Sequence, residues 1–193
     1  MLAGGRSRRF GRDKLAERYD GRPLLQHAVA RLLEVCDRVV VVLAPDASEP
    51  SMPADRQVEF ARDAIGDEGP LRGLSAGLEV ANADWVVVAG GDMPDLQPVV
   101  LREMLRAALE TRVVAVSLAE AGNERPLPCV LRSAPAAEAV RALLQAGRRS
   151  LRDLHAHVPA VVIDEPTWIA LDPERRTLID IDEPGDLEHE RSR

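Results

Sequence analysis

The first fourteen residues, Met-Leu-Ala-Gly-Gly-Arg-Ser-Arg-Arg-Phe-Gly-Arg-Asp-Lys, set five cations (Arg6, Arg8, Arg9, Arg12 and Lys14) against one acid, Asp13. Their side-chain charge is +4 in a chain whose total is −7, which leaves −11 for the remainder. A cationic, glycine-rich loop on an acidic protein suits a small polyanion: glycines let backbone N–H groups approach phosphate oxygens, and Arg and Lys neutralise them. A solvated chain end is the plainer reading. The segment lacks Gly-Lys-Ser/Thr and does not fit GxGxxG, so it is neither a P-loop nor a dinucleotide fingerprint. Of the 25 positive residues, Lys14 alone is lysine, which points to a position that needs a compact ammonium rather than a planar fork, chance retention being the alternative.

Two further groups carry chemistry. Asp92 follows the apolar run Trp85 to Ala89 through Gly90 and Gly91, and ligands of open α/β sheets bind beyond the carboxyl ends of the strands. A carboxylate there is placed to hold Mg²⁺, a hard cation that bridges carboxylates to phosphates; capping a helix after Pro94 is the other reading. Asp180 and Asp182 stand two apart on an expected strand, Leu178 to Asp182, so both point to one face while Ile179 and Ile181 enter the core. If that face overlooks a nucleotide, one of them gives the metal a second carboxylate; otherwise they form a solvent-facing edge.

The elements that must position these groups follow from periodicity. Residues 23 to 36 pair apolar positions at 24/25, 28/29 and 32/33, an amphipathic helix opening at Pro23. The runs Val39 to Ala44, Trp85 to Ala89 and Val113 to Leu118 do not alternate, so they read as strands buried on both faces. Helices are expected over Pro98 to Glu110, over Ala134 to Gln145 with Gly147 closing it, and from Ser150, with a strand at Ala160 to Ile163. Helix and buried strand alternate, which argues for an α/β fold with a parallel sheet between helices. Ala119 to Pro126 reads as a flexible loop.

At roughly 150 residues per domain, 193 residues predict a single domain, residues 1–193. The acidic balance and an aromatic content of 3% argue against a nucleic-acid partner. No apolar run approaches the ~20 residues that span a bilayer, and neither a secretory core nor a lipidation motif is found, so no membrane role is expected. Cys36 and Cys129 lie far apart and form no CxxC, so neither a disulfide framework nor a zinc cluster is indicated, and a reducing cytoplasm fits best.

The segment Leu2 to Lys14 resembles the signature loop of the nucleotidyltransferases related to molybdenum cofactor guanylyltransferase. Three more segments match in order: Gly69-Pro70-Leu71-Arg72-Gly73-Leu74 with Gly77-Leu78, Gly91-Asp92-Met93-Pro94, and Asp180-Ile181-Asp182-Glu183-Pro184-Gly185-Asp186-Leu187. The resemblance covers nearly the whole chain. It implies a single-domain, three-layer, Rossmann-like (GT-A-like) nucleotidyltransferase fold with a mostly parallel sheet. It also implies that Leu2, Ala3, Gly4, Gly5, Lys14, Asp63, Gly69, Gly73 and Asp92 hold the nucleotide, that Arg9, Lys14 and Asp92 are catalytic, and that Asp92 and Asp182 hold Mg²⁺. The family often has Asn where Asp180 and Asp182 stand, which leaves open whether Asp182 meets the metal directly. Asp63 reads equally as a surface acid, and Arg149 and Arg152 as helix-surface residues rather than a second phosphate site. Cys129 reads as a core thiol, and no histidine is given chemistry.

The implied reaction moves GMP from GTP to the terminal phosphate of molybdopterin with release of pyrophosphate; the attacking oxygen is already ionised, so no general base is needed. Relatives that use CTP, or a phospholactate or sugar-phosphate acceptor, are the alternatives. So is a non-catalytic nucleotide-binding protein that delivers cofactor to a molybdoenzyme or insertion partner. In the family a short apolar strand precedes the loop, and here only Met1 and Leu2 stand before Ala3. The expectation is a truncated first strand, the native start lying upstream or the groove between Val39–Ala44 and Trp85–Ala89 left partly unpaired.

Overall fold

The computed structural model describes residues 1–3, 14–52, 57–63, 69–182 and 185–186. After a 3₁₀ turn at Lys14–Ala16 come a small hairpin, β1 (Arg18–Tyr19) and β2 (Arg22–Pro23), then α1 (Leu24–Leu33), β3 (Val39–Leu43), β4 (Val58–Arg62) and α2 (Pro70–Val80). There follow β5 (Trp85–Val88), α3 (Pro98–Thr111), β6 (Ala115–Glu120), β7 (Asn123–Arg132), α4 (Ser133–Gln145), α5 (Leu151–His157), β8 (Ala160–Ile163), α6 (Glu165–Ile169) and a 3₁₀ turn at Arg176–Leu178.

The central layer has two parts. β3 and β4 pair in parallel, while β5, β7, β6 and β8 form a mixed sheet in that order, with β7 antiparallel to both neighbours and β8 parallel to β6. Leu2 joins them, bridging in parallel to Val42 on one side and Gly90 on the other. Leu2 N–H donates to the Ala89 carbonyl (2.8 Å) and Gly91 N–H to the Leu2 carbonyl (2.9 Å). Val42 N–H donates to Met1 (2.9 Å) and Ala3 N–H to Val42 (2.9 Å). Below this seam the strands part, leaving a cavity of about 330 Å³ lined by Val39, Val40, Trp85 and Val87.

Helices cover both faces, as the side-chain period of two requires. Val116, Leu118 and Val130 face a core with Leu25, Val29, Leu32, Leu101, Met104 and Trp168, under α1, α3 and α6. Ala115, Cys129 and Leu131 face the other way, onto Leu71, Leu74, Val140 and Leu154 from α2, α4 and α5. Among the described residues, no helix is long and apolar enough to cross a membrane.

Two expectations need correction. Ala119–Pro126 is a hairpin rather than a loop: Ala121 and Gly122 both have positive φ (48° and 75°), which fits a two-residue turn to the twist of the strands β6 and β7. The register slips between Val116 and Leu118, so residues 126–129 face one residue of β6. At such a bulge Pro126 and Pro128 cost no ladder hydrogen bond. The second correction is the strand at Leu178–Asp182, which is a 3₁₀ turn followed by extended chain without a partner strand. The Ile-Asp alternation survives because packing imposes it: Ile181 is fully buried with Tyr19 and Leu24, Ile179 lies against them, and Asp182 is exposed.

Candidate functional site

The site lies where parallel strands end. Because Leu2 runs parallel to Val42 and Gly90, Ala3, the end of β3 and the turn after β5 sit at one edge of the sheet. Asp63 is at the same edge, its N–H donating to the Leu43 carbonyl just beyond β4 (2.9 Å), and it is buried. The loop holding Gly4, Gly5 and Arg9 continues from Ala3 and lies outside the described residues.

Local packing sets each group. Asp92 folds back over the turn: a Cβ at Gly90 would collide with its Oδ1, and one at Gly91 would meet Leu25 and Leu15 at 3.0 and 3.3 Å. Leu15 thus packs where Gly91 leaves room, and Lys14 stands beside it. The β1–β2 hairpin secures this segment, since Tyr19 Oη donates to Asp95 Oδ2 (2.6 Å) in a buried position and Leu24 N–H donates to the Glu17 carbonyl (2.9 Å). From the far end of the chain, Ile181 N–H donates to the Asp92 carbonyl (3.0 Å), which brings Asp180 and Asp182 to Asp92.

Lys14, Asp92 and Asp182 converge. The Lys14 ammonium donates to Asp92 Oδ2 at 2.9 Å and to Asp182 Oδ1 at 3.0 Å, with side-chain exposures of 13%, 30% and 54%. Burial alone would lower the Lys14 pKa; hydrogen bonds and charge from Asp92, then from Asp182, outweigh it and hold it above the ordinary lysine value. Asp180, beside them, has its pKa raised by burial first and by the charges of Asp182 and Asp92, while Arg125 opposes the shift. Asp92 caps no helix: α3 begins at Pro98.

An ammonium bonded by two carboxylates marks a place where a hard cation finds oxygen ligands. Among the described residues no three carboxylate, imidazole or thiolate groups converge on one point, so a metal here would draw on two protein carboxylates. That number suits Mg²⁺, which takes one or two carboxylates and completes its shell with phosphates and water.

The other expected residues take varied positions. Gly69 (φ 88°) caps α2, and a Cβ there would strike the Arg149 carbonyl, which accepts from Leu71 N–H (3.2 Å). Gly73 lies over Leu2 and Val42, letting α2 lie close to β3. Arg149 donates to the carbonyls of Leu144 (3.2 Å) and Arg148 (3.0 Å), so it caps the end of α4. The first turn of α5 is closed by a capping box between Ser150 and Asp153. The Cys129 thiol is fully buried and pushed up to about 12 by desolvation, which leaves it inert at neutral pH. Sequence reasoning missed Arg125 and Glu120, which approach the acidic group from the β6–β7 hairpin (2.9 Å apart), because that stretch reads as a loop.

The sheet is mixed and lies between two helical layers, with a lysine and carboxylates at its carboxyl edge. The chain belongs to the MobA-like NTP transferase family, whose model matches residues 1–160. A protein of Chloroflexus aggregans named a probable molybdenum cofactor guanylyltransferase is 31% identical over 191 residues, covering 97% of this chain and 89% of the relative. One of Natronomonas pharaonis with the same name is 32% identical over 196 residues, covering 100% and 96%. Among solved structures, molybdopterin-guanine dinucleotide biosynthesis protein A from Archaeoglobus fulgidus superposes with a TM-score of 0.77 at 21% identity, covering 97% of this chain and 93% of that one. A 2-C-methyl-D-erythritol 4-phosphate cytidylyltransferase from Thermus thermophilus also superposes, with a TM-score of 0.69 at 19% identity, covering 96% of this chain and 93% of that one.

Proposed function

We propose that this enzyme transfers GMP from GTP to the terminal phosphate of molybdopterin, releasing pyrophosphate and forming the guanine dinucleotide of the molybdenum cofactor. The observation that carries the reading is the three-way contact of Lys14, Asp92 and Asp182 at the edge where the Gly4–Gly5 loop departs. Full-length identity above 30% to proteins named for guanylyl transfer favours GTP over CTP.

The chemistry asked of the side chains is electrostatic. Asp92 and Asp182 would hold Mg²⁺, which when bound neutralises triphosphate charge. Lys14 then exchanges its carboxylates for phosphate oxygens and stabilises the charge that moves onto departing pyrophosphate, with Arg9 assisting from the loop. Gly4 and Gly5 would offer backbone N–H groups to the nucleotide, Leu2 and Ala3, whose own N–H groups are held by the Ala89 and Val42 carbonyls, would carry that loop to it, and Asp63 would face its base or ribose. Cys36 and Cys129 are both free thiols, which supports a cytoplasmic setting.

Incubation with molybdopterin, Mg²⁺ and either GTP or CTP tests the reading, with pyrophosphate and the dinucleotide as products. GTP should be consumed at least ~10-fold more efficiently, a difference of one or two base-edge hydrogen bonds. Preference for CTP would transfer the assignment to the cytidylyl relatives, and GTP binding without pyrophosphate release to a delivery protein.

A further inference from the structure

We infer that Arg125 grips the attacking phosphate of the acceptor. The inference rests on the nucleotidyl-transfer reading and adds to it the residue that receives the second substrate. β7 runs antiparallel to β5, with Val88 opposite Cys129, so residues 128 back to 125 continue beyond the end of β5 on the side of Gly90–Asp92. The bulge opposite Ser117 frees this stretch from regular pairing, and bulges beside active sites re-aim side chains. Glu124 bonds Ser117 and His155, while Arg125 reaches the acidic group.

There the guanidinium holds two acids. Nη1 donates to Glu120 Oε2 at 2.9 Å, and Nη2 lies 3.7 Å from Asp180 Oδ2, too far for a hydrogen bond. Asp180 is brought to Asp92 by the Ile181 N–H bond to the Asp92 carbonyl (3.0 Å). The carboxylates are thus met by one cation at Asp92 and Asp182, Lys14, and by another at Asp180, Arg125.

Nucleotidyl transfer uses two such cations. An oxygen of the acceptor phosphate forms a bond to the α-phosphorus of GTP, the bond from that phosphorus to the α–β bridging oxygen breaks, and pyrophosphate departs with the electron pair; no proton moves. Attacking and departing oxygens lie on opposite sides of the phosphorus, so one compact ammonium cannot serve both. Arg125 has the planar fork that binds a phosphate through two parallel hydrogen bonds. Its present partners are part-exposed, at 30% for Glu120 and 47% for Asp180, and such pairs contribute little net stability. Arg125 can exchange them for a phosphate dianion at small cost.

The test separates this role from that of a clip holding the chain near Asp180. In Arg125→Ala the acceptor KM should rise ~10-fold or more, as for a lost charge-assisted phosphate contact, and Arg125→Lys should recover part of it. GTP·Mg²⁺ affinity by calorimetry should stay within about two-fold. Glu120→Gln, which removes a competitor for the guanidinium, should lower the acceptor KM, whereas a structural clip predicts the same direction for both variants. An unchanged acceptor KM in Arg125→Ala, or a parallel loss of GTP affinity, overturns the inference. If the wild type binds GTP but modifies no molybdopterin, the functional reading falls alone. Inorganic phosphate then reads Arg125 independently: its ³¹P line broadening by the protein loaded with Mg²⁺ and a non-hydrolysable GTP analogue should vanish in Arg125→Ala, and broadening that persists is evidence against the site.

Discussion

Two groups of charged side chains stand apart in the fold, one under α5 and one at the carboxyl edge of the sheet. Glu124 accepts from Ser117 Oγ at 2.6 Å and meets His155 Nδ1 at 2.6 Å, with the histidine 2% exposed. This group is closed, and the one polar atom it leaves over, His155 Nε2, is itself buried. Around Lys14, three aspartates face one ammonium and one guanidinium, and the Asp180 pKa is raised by burial first and then by the charges of Asp182 and Asp92. Both groups join residues far apart in sequence. They differ in that one is enclosed by the fold, while the other sets three carboxylates against two cations at an edge open to a ligand. An enclosed group has no access to a ligand; a group at an open edge has charge left to bind one.

That contrast can be broken most directly at Asp92. Asp92→Asn should lower kcat by about 10²-fold or more, as expected for losing a preorganised electrostatic group, with the melting temperature unchanged or raised; steady-state rates and thermal melts read the two together. Gly90→Ala should follow, losing on the order of 10-fold in kcat, because the added methyl displaces the Asp92 carboxylate without altering its chemistry. Normal activity in Gly90→Ala would mean that the folded-back carboxylate is not the working one.

At the closed group the effects should reverse. Glu124→Gln and His155→Ala should cost about 1–3 kcal/mol of stability, the range for disrupting a buried polar pair, and leave kcat unchanged. A kcat defect without loss of stability would move these residues into the site. The smallest effect is expected from Asp180→Asn. The carboxyl pKa of Asp180 lies above its unfolded value, so between the two the folded state binds more protons and stability falls as pH rises through the window. The variant should therefore melt higher than wild type at pH 7, with the gain shrinking as pH falls towards 4. A lower melting temperature at pH 7 would show that the Arg125 contact outweighs the crowding of charge.

Much of the scaffold was legible in the sequence, and the exceptions share a cause. Val39–Leu43 and Trp85–Val88 announce themselves because an unbroken apolar, β-branched run suits a strand inside the sheet; Val39–Leu43 is buried throughout, whereas in Trp85–Val88 only Val88 is, the rest being half-buried along the cavity. Residues 119–126 misled because Gly, Asn and Pro signal a loop, whereas only Ala121 and Gly122 turn and the prolines sit in a ladder interruption that no local pattern reveals. At 178–182 the period of two is real but arises from packing against Tyr19 and Leu24 rather than from pairing. Lys14 stands out as the only lysine and Asp92 by its place after a buried strand. Arg125 does not, because its significance depends on a bulge and on a carboxylate 55 residues away.

The seam at Leu2 couples recognition to mechanics. Among the described residues, the peptide units from Met1 to Ala3 are where both parts of the sheet share a common set of hydrogen bonds, and the glycine loop is their immediate continuation. A triphosphate held by that loop would tighten the stitch as well, so hydrogen exchange at the Val42 and Gly91 amides should slow when GTP binds. Nucleotide would then serve as mortar for the sheet as well as its cargo.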